Sequence, residues 1–324
     1  MSVLVTGAFG CIGAWVVRGL LAEGERPVVF DLGDDPWRLR MIVAPTWPAG
    51  SPSSGATSPI ANGSPGSSAT TRSDRSSISP PGRSRSAART RRGGALINVV
   101  GTANVFEAAR AAAGQIERIV YASSAAVFGP PNLYPPGPIK DDAPPHPATH
   151  YGVYKVANEE TARIYWEEHK IPSMGFRPLS VYGPGRDFGL TADRTLAMKS
   201  AVLGRPFQIR WGGRTDLVYT DDVARAFIVA SRSGLPGARV YNLHGSSAAV
   251  ADVARLITEA RPQAKGSLSH VEQPIPFPDA LDDARYQRDL GPAPRTPLEA
   301  GVRRTLEEFA RLQKEGRLDA RELP

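Results

Sequence analysis

A tyrosine and a lysine four residues apart are the strongest candidates for chemistry in this chain. Tyr151 and Lys155 fall in a segment whose pattern predicts a helix from residue 149 to about residue 168, so both side chains should share one face. A neighbouring ammonium stabilises a phenolate and lowers the pKa of the tyrosine. Such a tyrosine can accept the proton of a substrate hydroxyl, and Ser124, which follows a predicted strand, could hydrogen-bond the same hydroxyl. The alternative is an ordinary exposed helix pair.

Three glycines near the start of the chain predict a nucleotide-binding turn. A short apolar run leads into Gly7, Gly10 and Gly13, and the apolar pattern of a helix follows at once. Gly7 would permit the turn, Gly10 would let phosphates approach the backbone, and Gly13 would let the helix pack on the strand. Asp31 closes the next apolar run, where an acid accepts hydrogen bonds from ribose hydroxyls and repels a 2′-phosphate, which favours NAD over NADP. The alternative is an ordinary strand–helix turn with a solvated aspartate.

Alternating strand and helix patterns along the 324 residues predict an α/β fold. We expect a doubly wound parallel sheet in a cofactor domain at 1–178, and a smaller α/β substrate lobe at 179–324 from which some elements return to the first domain.

No apolar run approaches the roughly 20 residues of a membrane span, and no signal-peptide pattern opens the chain. One cysteine, Cys11, gives no disulfide framework, so we expect a cytoplasmic protein. The five histidines show no metal-ligand spacing, so we assign no metal.

The net charge of +7 is concentrated in one segment. Residues 45–94 contain seven arginines and one aspartate, a balance of +6 that leaves +1 for the rest of the chain. These arginines lie among Ser, Pro, Gly and Thr, and Trp47 is the only aromatic residue near them. Without stacking residues or a groove-reading helix, the charge does not indicate nucleic-acid binding.

Segment 45–94 is anomalous for a doubly wound domain. Its thirteen Ser, seven Pro and seven Gly are typical of a disordered linker. Yet it falls where a doubly wound fold needs its third strand, a helix and its fourth strand. Back-translation with GC-rich codons allows an adjacent frame that encodes a strand-like run, an acid and a dinucleotide-contacting loop. The segment is therefore interpreted either as frame-shifted or as a natural disordered insertion. We expect the chain as written to lack a central strand.

Five motifs together resemble the extended short-chain dehydrogenases/reductases of the NAD-dependent epimerase/dehydratase family, which includes UDP-glucose 4-epimerase. The resemblance covers 1–44 and 95 to about 312, and its motifs are residues 6–13, 123–129, 151–155, 177–185 and 218–224. It implies a Rossmann fold, NAD as cofactor and hydride-transfer chemistry on a sugar. It also implies a homodimer through the helices that follow Thr102 and Tyr151.

The resemblance assigns roles residue by residue. Tyr151 would be the general base or acid, Lys155 would hold the nicotinamide ribose, and Ser124 would assist proton transfer. The implied cofactor-binding set is Gly7, Phe9, Gly10, Cys11, Ile12, Gly13, Asp31, Ser123, Tyr151, Lys155 and Pro178. Candidates for contacting the substrate are Ser124, Ser180, Arg186, Arg214 and Arg285.

Departures from the family pattern reduce the number of reactions that we expect of this chain. Family dehydratases place an Asp-Glu pair after the catalytic residue, where this chain has Ala125 and Ala126, so dehydration is disfavoured. Nucleotide-sugar epimerases commonly carry an arginine where this chain has Thr215. We therefore expect an NAD-dependent epimerase of a sugar or nucleotide sugar, acting through a transient ketone. The alternatives are an NAD-dependent dehydrogenase of a sugar or sugar acid, and a non-catalytic, poorly folded product of a frame-shifted gene.

Overall fold

The computed structural model describes residues 2–43, 90–112 and 114–323, and the backbone of 77–79. The strands are β1 Leu4–Thr6, β2 Val28–Phe30, β3 Ser77–Ser79, β4 Ile119–Ala122, β5 Ser173–Pro178, β6 Ser180–Tyr182, β7 Phe207–Ile209, β8 Arg214–Tyr219, β9 Ala238–Leu243, β10 Ser246–Ala249 and β11 Leu268–His270. The α-helices are α1 Cys11–Ala22, α2 Trp37–Val43, α3 Arg91–Ala95, α4 Gly101–Ala111, α5 His150–His169, α6 Asp193–Leu203, α7 Thr220–Ser231, α8 Val250–Ala260, α9 Ala284–Leu290 and α10 Leu298–Lys314.

A six-stranded sheet in the order β2-β1-β3-β4-β5-β9 forms the centre of the fold, and its strand pairs are parallel. Parallel strands are joined by crossovers that place helices on both faces, which explains why most residues of β4 and β5 are buried. A three-stranded sheet, β10-β8-β6, and a two-stranded sheet, β11-β7, form the smaller part. The expected doubly wound α/β fold is confirmed, and β9, from the later part of the chain, forms one edge of the large sheet.

The expectation that the chain lacks a central strand is wrong. Ser77–Ser79 pairs in parallel with β1 on one side and with β4 on the other, so it occupies the position that the sequence left empty. Regular structure also begins before the end of the anomalous segment 45–94, because Thr90 caps α3 by accepting the Gly93 N–H at 3.0 Å. A five-residue π-helical turn, Leu96–Val100, joins α3 to α4. The interpretation of the segment as disordered or frame-shifted also covers residues 45–76 and 80–89. These residues lie outside the part of the chain that the structure describes.

A buried ion pair joins α5 to β5. Arg177 donates through Nε and Nη2 to the two carboxylate oxygens of Glu159, at 2.8 and 2.5 Å, and both residues are at most 9% exposed. Arg177 also donates to the Asp141 carbonyl at 2.9 Å, while Ser123 donates to Glu159. A buried charge is tolerated when it is paired and hydrogen-bonded in this way. The pair therefore holds α5 against the carboxyl ends of β4 and β5.

A second buried carboxylate joins three segments of the smaller part. Asp216 on β8 is fully buried and accepts from the backbone N–H groups of Gly245, at 2.7 Å, and Leu281, at 3.1 Å. Its Oδ2 lies 2.6 Å from Nδ1 of His244. The hydrogen bond to Asp216 raises the pKa of His244, because the carboxylate favours the charged imidazolium.

We expect Glu159→Gln to destabilise the protein by about 3 kcal/mol, because loss of one partner leaves the Arg177 guanidinium buried and unpaired. The matched control is Glu160→Gln on the same helix, where an exposed pair with Arg163 is lost and a change below about 1 kcal/mol is expected. Urea unfolding of the three proteins measures both values. Equal destabilisation by the two substitutions would contradict this role of the buried pair.

The pKa of His244 is raised on folding, so its protonation stabilises the native state below the unfolded pKa of about 6.5. This stabilisation is lost as the pH rises through the higher folded pKa. The difference in free energy of unfolding between the native chain and His244→Gln should therefore be larger at about pH 5.5 than at about pH 8.5. Urea titrations at both pH values test this, and a difference that is constant or grows with pH would rule it out.

Candidate active site

The first part of the site is the turn between β1 and α1. Gly7 has a φ of 65°, and its N–H donates to the Phe30 carbonyl at 2.8 Å, which joins the turn to β2. A Cβ atom built on Gly13 would lie 2.3 Å from the Gly7 carbonyl oxygen, a distance that no side chain could accept. Only glycine at both positions lets α1 pack this closely on the turn.

The N-terminus of α1 opens directly from this turn. Gly10 is extended, and the first intrahelical bond runs from the Ala14 N–H to the Gly10 carbonyl at 3.0 Å. The N–H groups of Cys11, Ile12 and Gly13 precede that bond, at the positive end of the helix dipole, where a phosphate is stabilised. Burial raises the pKa of the Cys11 thiol to about 12, so it stays protonated. The turn fits a dinucleotide pyrophosphate.

Asp31 lies beside the turn, at the end of β2. Its Oδ2 accepts the Phe9 N–H at 2.8 Å, and its Oδ1 accepts the Gly33 N–H at 2.9 Å. Burial raises the pKa of this carboxyl, against the effect of these hydrogen bonds. The carboxylate is thus fixed in orientation, and each oxygen keeps a further lone pair for a ribose hydroxyl.

Sequence reasoning missed a contact that ties the turn to the smaller part of the fold. Arg38 on α2 donates to both carboxylate oxygens of Asp187, at 2.8 and 2.6 Å, and to the Phe9 carbonyl at 3.3 Å. Asp187 follows β6 and is 6% exposed. The two residues are 149 positions apart and belong to no shared motif, so the sequence held no signal for the pair.

The second part of the site is the first turn of α5. Thr149 caps this helix by accepting the Gly152 N–H at 3.0 Å. Lys155 is fully buried, and its Nζ donates to the Ala122 carbonyl, the last residue of β4, at 2.7 Å. The same Nζ lies 5.3 Å from the centroid of the Tyr151 ring. Tyr151 and Lys155 therefore lie on one face of α5, with the Lys155 ammonium beside the Tyr151 ring.

Gly152 brings the Tyr151 turn next to the turn that carries Ser124. A Cβ atom on Gly152 would lie 2.1 Å from the Ala126 carbonyl oxygen, so only glycine permits this approach. Ser124 Oγ in turn accepts the Ala126 N–H at 3.2 Å. Tyr151 and Ser124 thus lie on two turns that are in direct contact, and Lys155 lies one helical turn after Tyr151.

The other predicted residues are placed as follows. Ser123 follows β4 and Pro178 ends β5, so both lie at the carboxyl edge of adjacent strands, where ligands bind in open α/β sheets. Ser180 Oγ lies 2.8 Å from Thr215 Oγ1, and both residues are buried. Each predicted arginine contacts a different neighbour: Arg186 Nη2 donates to Thr191, Arg214 Nη2 donates to the Ser247 carbonyl, and Arg285 lies 5.7 Å from the Tyr241 ring centroid.

None of the helices in the described part of the chain is long and apolar enough to cross a membrane. Within 2–43, 90–112 and 114–323, His, Cys, Asp and Glu form no group of three that could hold a metal ion.

The chain is similar in sequence to enzymes of one family. A model of the NAD dependent epimerase/dehydratase family matches residues 83–243, which leaves the glycine turn outside the match. The chain is 31% identical to UDP-glucose 4-epimerase from Mycolicibacterium smegmatis over 229 residues, which cover 66% of this chain and 69% of that protein. It is 26% identical to dTDP-D-glucose 4,6-dehydratase from Bos taurus over 229 residues, 65% of this chain and 60% of that protein.

A solved structure matches almost the whole chain. UDP-glucuronic acid 4-epimerase from Bacillus cereus, in complex with UDP-glucuronic acid and NAD, has a TM-score of 0.73 at 20% identity, with 96% of this chain and all of that chain covered. At this identity the likeness shows the fold. The 31% identity to the UDP-glucose 4-epimerase from Mycolicibacterium smegmatis, together with the family-model match, shows the family of this chain. The chain belongs to the NAD-dependent epimerase/dehydratase family.

Proposed function

We propose that this chain is an NAD-dependent nucleotide-sugar epimerase. The observation that carries the proposal is the pair of contacting turns that brings Tyr151 and Lys155 beside Ser124. The named relatives include epimerases and a dehydratase. We therefore use the residues around these turns to distinguish epimerisation from dehydration.

The three side chains have complementary tasks in such a reaction. Tyr151 removes the proton of the substrate hydroxyl as the carbon is oxidised, and returns it when the transient ketone is reduced on its other face. Tyr151 acts as this base in its phenolate form, and the Lys155 ammonium stabilises that phenolate. Ser124 holds the hydroxyl oxygen by a hydrogen bond and so orients the carbon.

NAD suits the glycine turn, because Gly13 lets α1 begin directly against the turn, where the first N–H groups of the helix have no intrahelical acceptor. When bound, NAD supplies the acceptor and donor of the hydride. Asp31 would bind the adenosine ribose, and residues 11–13 would face the pyrophosphate. We accordingly propose 1–178 as the cofactor domain and 179–324 as the substrate lobe.

Elimination of water is disfavoured by the residues after Ser124. A dehydratase needs an additional acid and base at the reacting carbons, whereas Ala125 and Ala126 are buried apolar residues of a short 3-10 turn. Neither can transfer a proton. Epimerisation needs only the groups already named, so it accounts better for this site.

One observation favours a second candidate, NAD-dependent oxidation of a sugar or sugar acid. Thr215, at the position where nucleotide-sugar epimerases commonly carry an arginine, is buried and lies against Ser180. A substrate without a diphosphate would need no cation there. The third reading, a non-catalytic frame-shifted product, loses support because β3 fills the central position of the sheet.

Two further proposals concern the cellular form of the protein. We propose a cytoplasmic enzyme, since the chain has one cysteine and so no disulfide framework. We also propose a homodimer through α4 and α5, as in the family. Sedimentation of the purified chain tests the second proposal.

The direct test is incubation of the purified chain with NAD and UDP-glucose, UDP-galactose or UDP-glucuronate. The proposal predicts that the epimeric sugar forms without net appearance of reduced cofactor. Steady accumulation of reduced cofactor would establish the dehydrogenase instead. If calorimetry shows NAD binding and neither product appears, a nucleotide-sugar epimerase is excluded for these substrates.

We expect Tyr151→Phe to lower kcat by roughly 10²–10⁴-fold, the usual contribution of a positioned general base, with little change in melting temperature. The matched control is Tyr154→Phe on the same helix, whose hydroxyl donates to the Arg91 carbonyl at 2.9 Å. Its kcat should stay within about threefold of the native value. Similar activity of the two variants would contradict the role of Tyr151.

We expect Asp31→Asn to reduce the preference for NAD over NADP by about tenfold or more, because the amide neither repels a 2′-phosphate nor binds ribose hydroxyls as strongly. Calorimetric Kd values for the two cofactors measure the ratio. Asp34→Asn, at an exposed position in the same loop, should leave the ratio unchanged. An unchanged ratio in both variants would show that Asp31 does not select the cofactor.

A further inference from the structure

Lys199 on α6 is a buried cation that the proposed reaction does not use. It is 2% exposed, and its Nζ donates to the Asp319 carbonyl at 3.0 Å and to a carboxylate oxygen of Glu322 at 3.3 Å. Both partners lie after the end of α10, 120 and 123 positions along the chain from Lys199. A buried ammonium is costly unless it is paired, so these contacts fix the later segment against α6.

The segment after α10, residues 315–323, folds back onto the body of the protein. Gly316 has a φ of 66°, and the Leu318 N–H donates to the Leu312 carbonyl at 3.1 Å. A positive φ of this kind favours glycine and reverses the chain at the end of a helix. Leu318 and Leu323 then pack against the main apolar core. Apolar packing and the buried ammonium together hold the segment in one place.

Two arginines of this segment contact α2. Arg317 Nη2 donates to the Arg40 carbonyl at 2.8 Å. The Arg321 guanidinium carbon lies 5.3 Å from the centroid of the Trp37 ring, within the range of a cation–π interaction. Arg321 Nη1 also lies 3.6 Å from the carboxylate of Asp35, just before the helix. The segment thus contacts both the start and the middle of α2.

The Trp37 ring connects this contact to the glycine turn. The Arg38 guanidinium carbon lies 4.6 Å from the centroid of that ring, so one ring contacts both Arg321 and Arg38. Arg38 donates to the Phe9 carbonyl at 3.3 Å, and the Phe9 N–H donates to Asp31 Oδ2 at 2.8 Å. Both backbone groups of Phe9 are therefore held by side chains that flank the loop between β2 and α2. The orientation of the Asp31 carboxylate depends on where α2 lies.

The helix α2 depends on tertiary contacts because it is short. Its seven residues are fewer than the roughly 12–15 at which an isolated helix becomes marginally stable in water. Apolar residues such as Leu39 and Ile42 pack against the main core, and the arginines of 315–323 add contacts at Trp37 and Arg40. Removal of these arginines should therefore loosen α2 without unfolding the protein.

We propose that residues 315–323 brace α2 and thereby position the Asp31 carboxylate for the adenosine ribose of NAD. Arg317 and Arg321 are positioning residues, because they act on Asp31 through α2. The inference rests on the proposed function only in that it places this ribose at Asp31. It is independent of the reaction that follows, because binding of the cofactor alone is measurable.

The test compares the native chain with Arg317→Ala/Arg321→Ala and with the control Arg303→Ala/Lys314→Ala, which removes two exposed cations of α10 and so the same charge. Calorimetry gives the Kd values of NAD and of ADP-ribose, which lacks the nicotinamide. We expect the first variant to raise both Kd values about three- to tenfold, because a carboxylate that is less fixed must be ordered on binding. The control should stay within about twofold of the native chain. Arg317→Lys/Arg321→Lys should recover part of the loss, since lysine also donates hydrogen bonds and binds aromatic rings.

A cycle of variants with Asp31→Asn shows whether the effect passes through Asp31. When the carboxylate is already absent, loss of the two arginines should raise the Kd of ADP-ribose clearly less than it does in the native chain. Melting temperatures are recorded for every variant, because a merely structural role would lower them and leave the Kd values unchanged. Unchanged Kd values, equal effects in the control, or additive effects in the cycle would overturn the proposal.

Activity separates this proposal from the proposed function. With NAD and an active substrate at saturation, the kcat of Arg317→Ala/Arg321→Ala should change less than about threefold, and a larger fall at unchanged Kd would contradict a role in cofactor binding. If no sugar nucleotide reacts but the Kd of ADP-ribose depends on the two arginines, the proposed function fails and the brace stands. If the epimer forms and the Kd values are alike in all variants, the proposed function stands and the brace fails. A native chain that binds neither NAD nor ADP-ribose would overturn both.

Discussion

The close packing of the first turn of α5 on the end of β4 is the constraint on which the proposed chemistry depends. Gly152 permits the approach to the Ala126 carbonyl, and the buried Lys155 ammonium fastens the helix to the last carbonyl of β4. The Glu159–Arg177 pair holds the next turn of the same helix to β5. Three independent contacts thus fix one helix to two strands, so Tyr151 has little freedom relative to Ser124. Such preorganisation is what a proton-transfer group requires.

The sequence predicted those parts of the site whose residues are close together in the chain. The spacing of Tyr151 and Lys155 follows from helix geometry, and the glycine turn follows from the steric demands of a strand–helix junction. Both depend on backbone rules that act over a few residues. The doubly wound architecture was predictable for a similar reason, because alternating strand and helix patterns leave few ways to pair parallel strands.

The remaining features depend on contacts between distant segments. No local pattern links Arg38 to Asp187, or marks Lys199 as buried, since the exposure of a lysine is decided by what packs around it. The central strand was missed because Ser77–Ser79 lies in a Ser- and Pro-rich segment with low strand propensity. Its place between β1 and β4 is set by pairing with two neighbours, and tertiary context can override local propensity.

The central claim is that one carbon of the sugar is oxidised and then reduced again within a single site. Its most direct test uses a nucleotide sugar carrying deuterium on the carbon that is inverted, followed by mass spectrometry and NMR of the product. The account predicts that the deuterium is retained on that carbon, because the hydride that leaves is the one that returns. Loss of the label to solvent would contradict the account, since it would require inversion by proton abstraction from carbon.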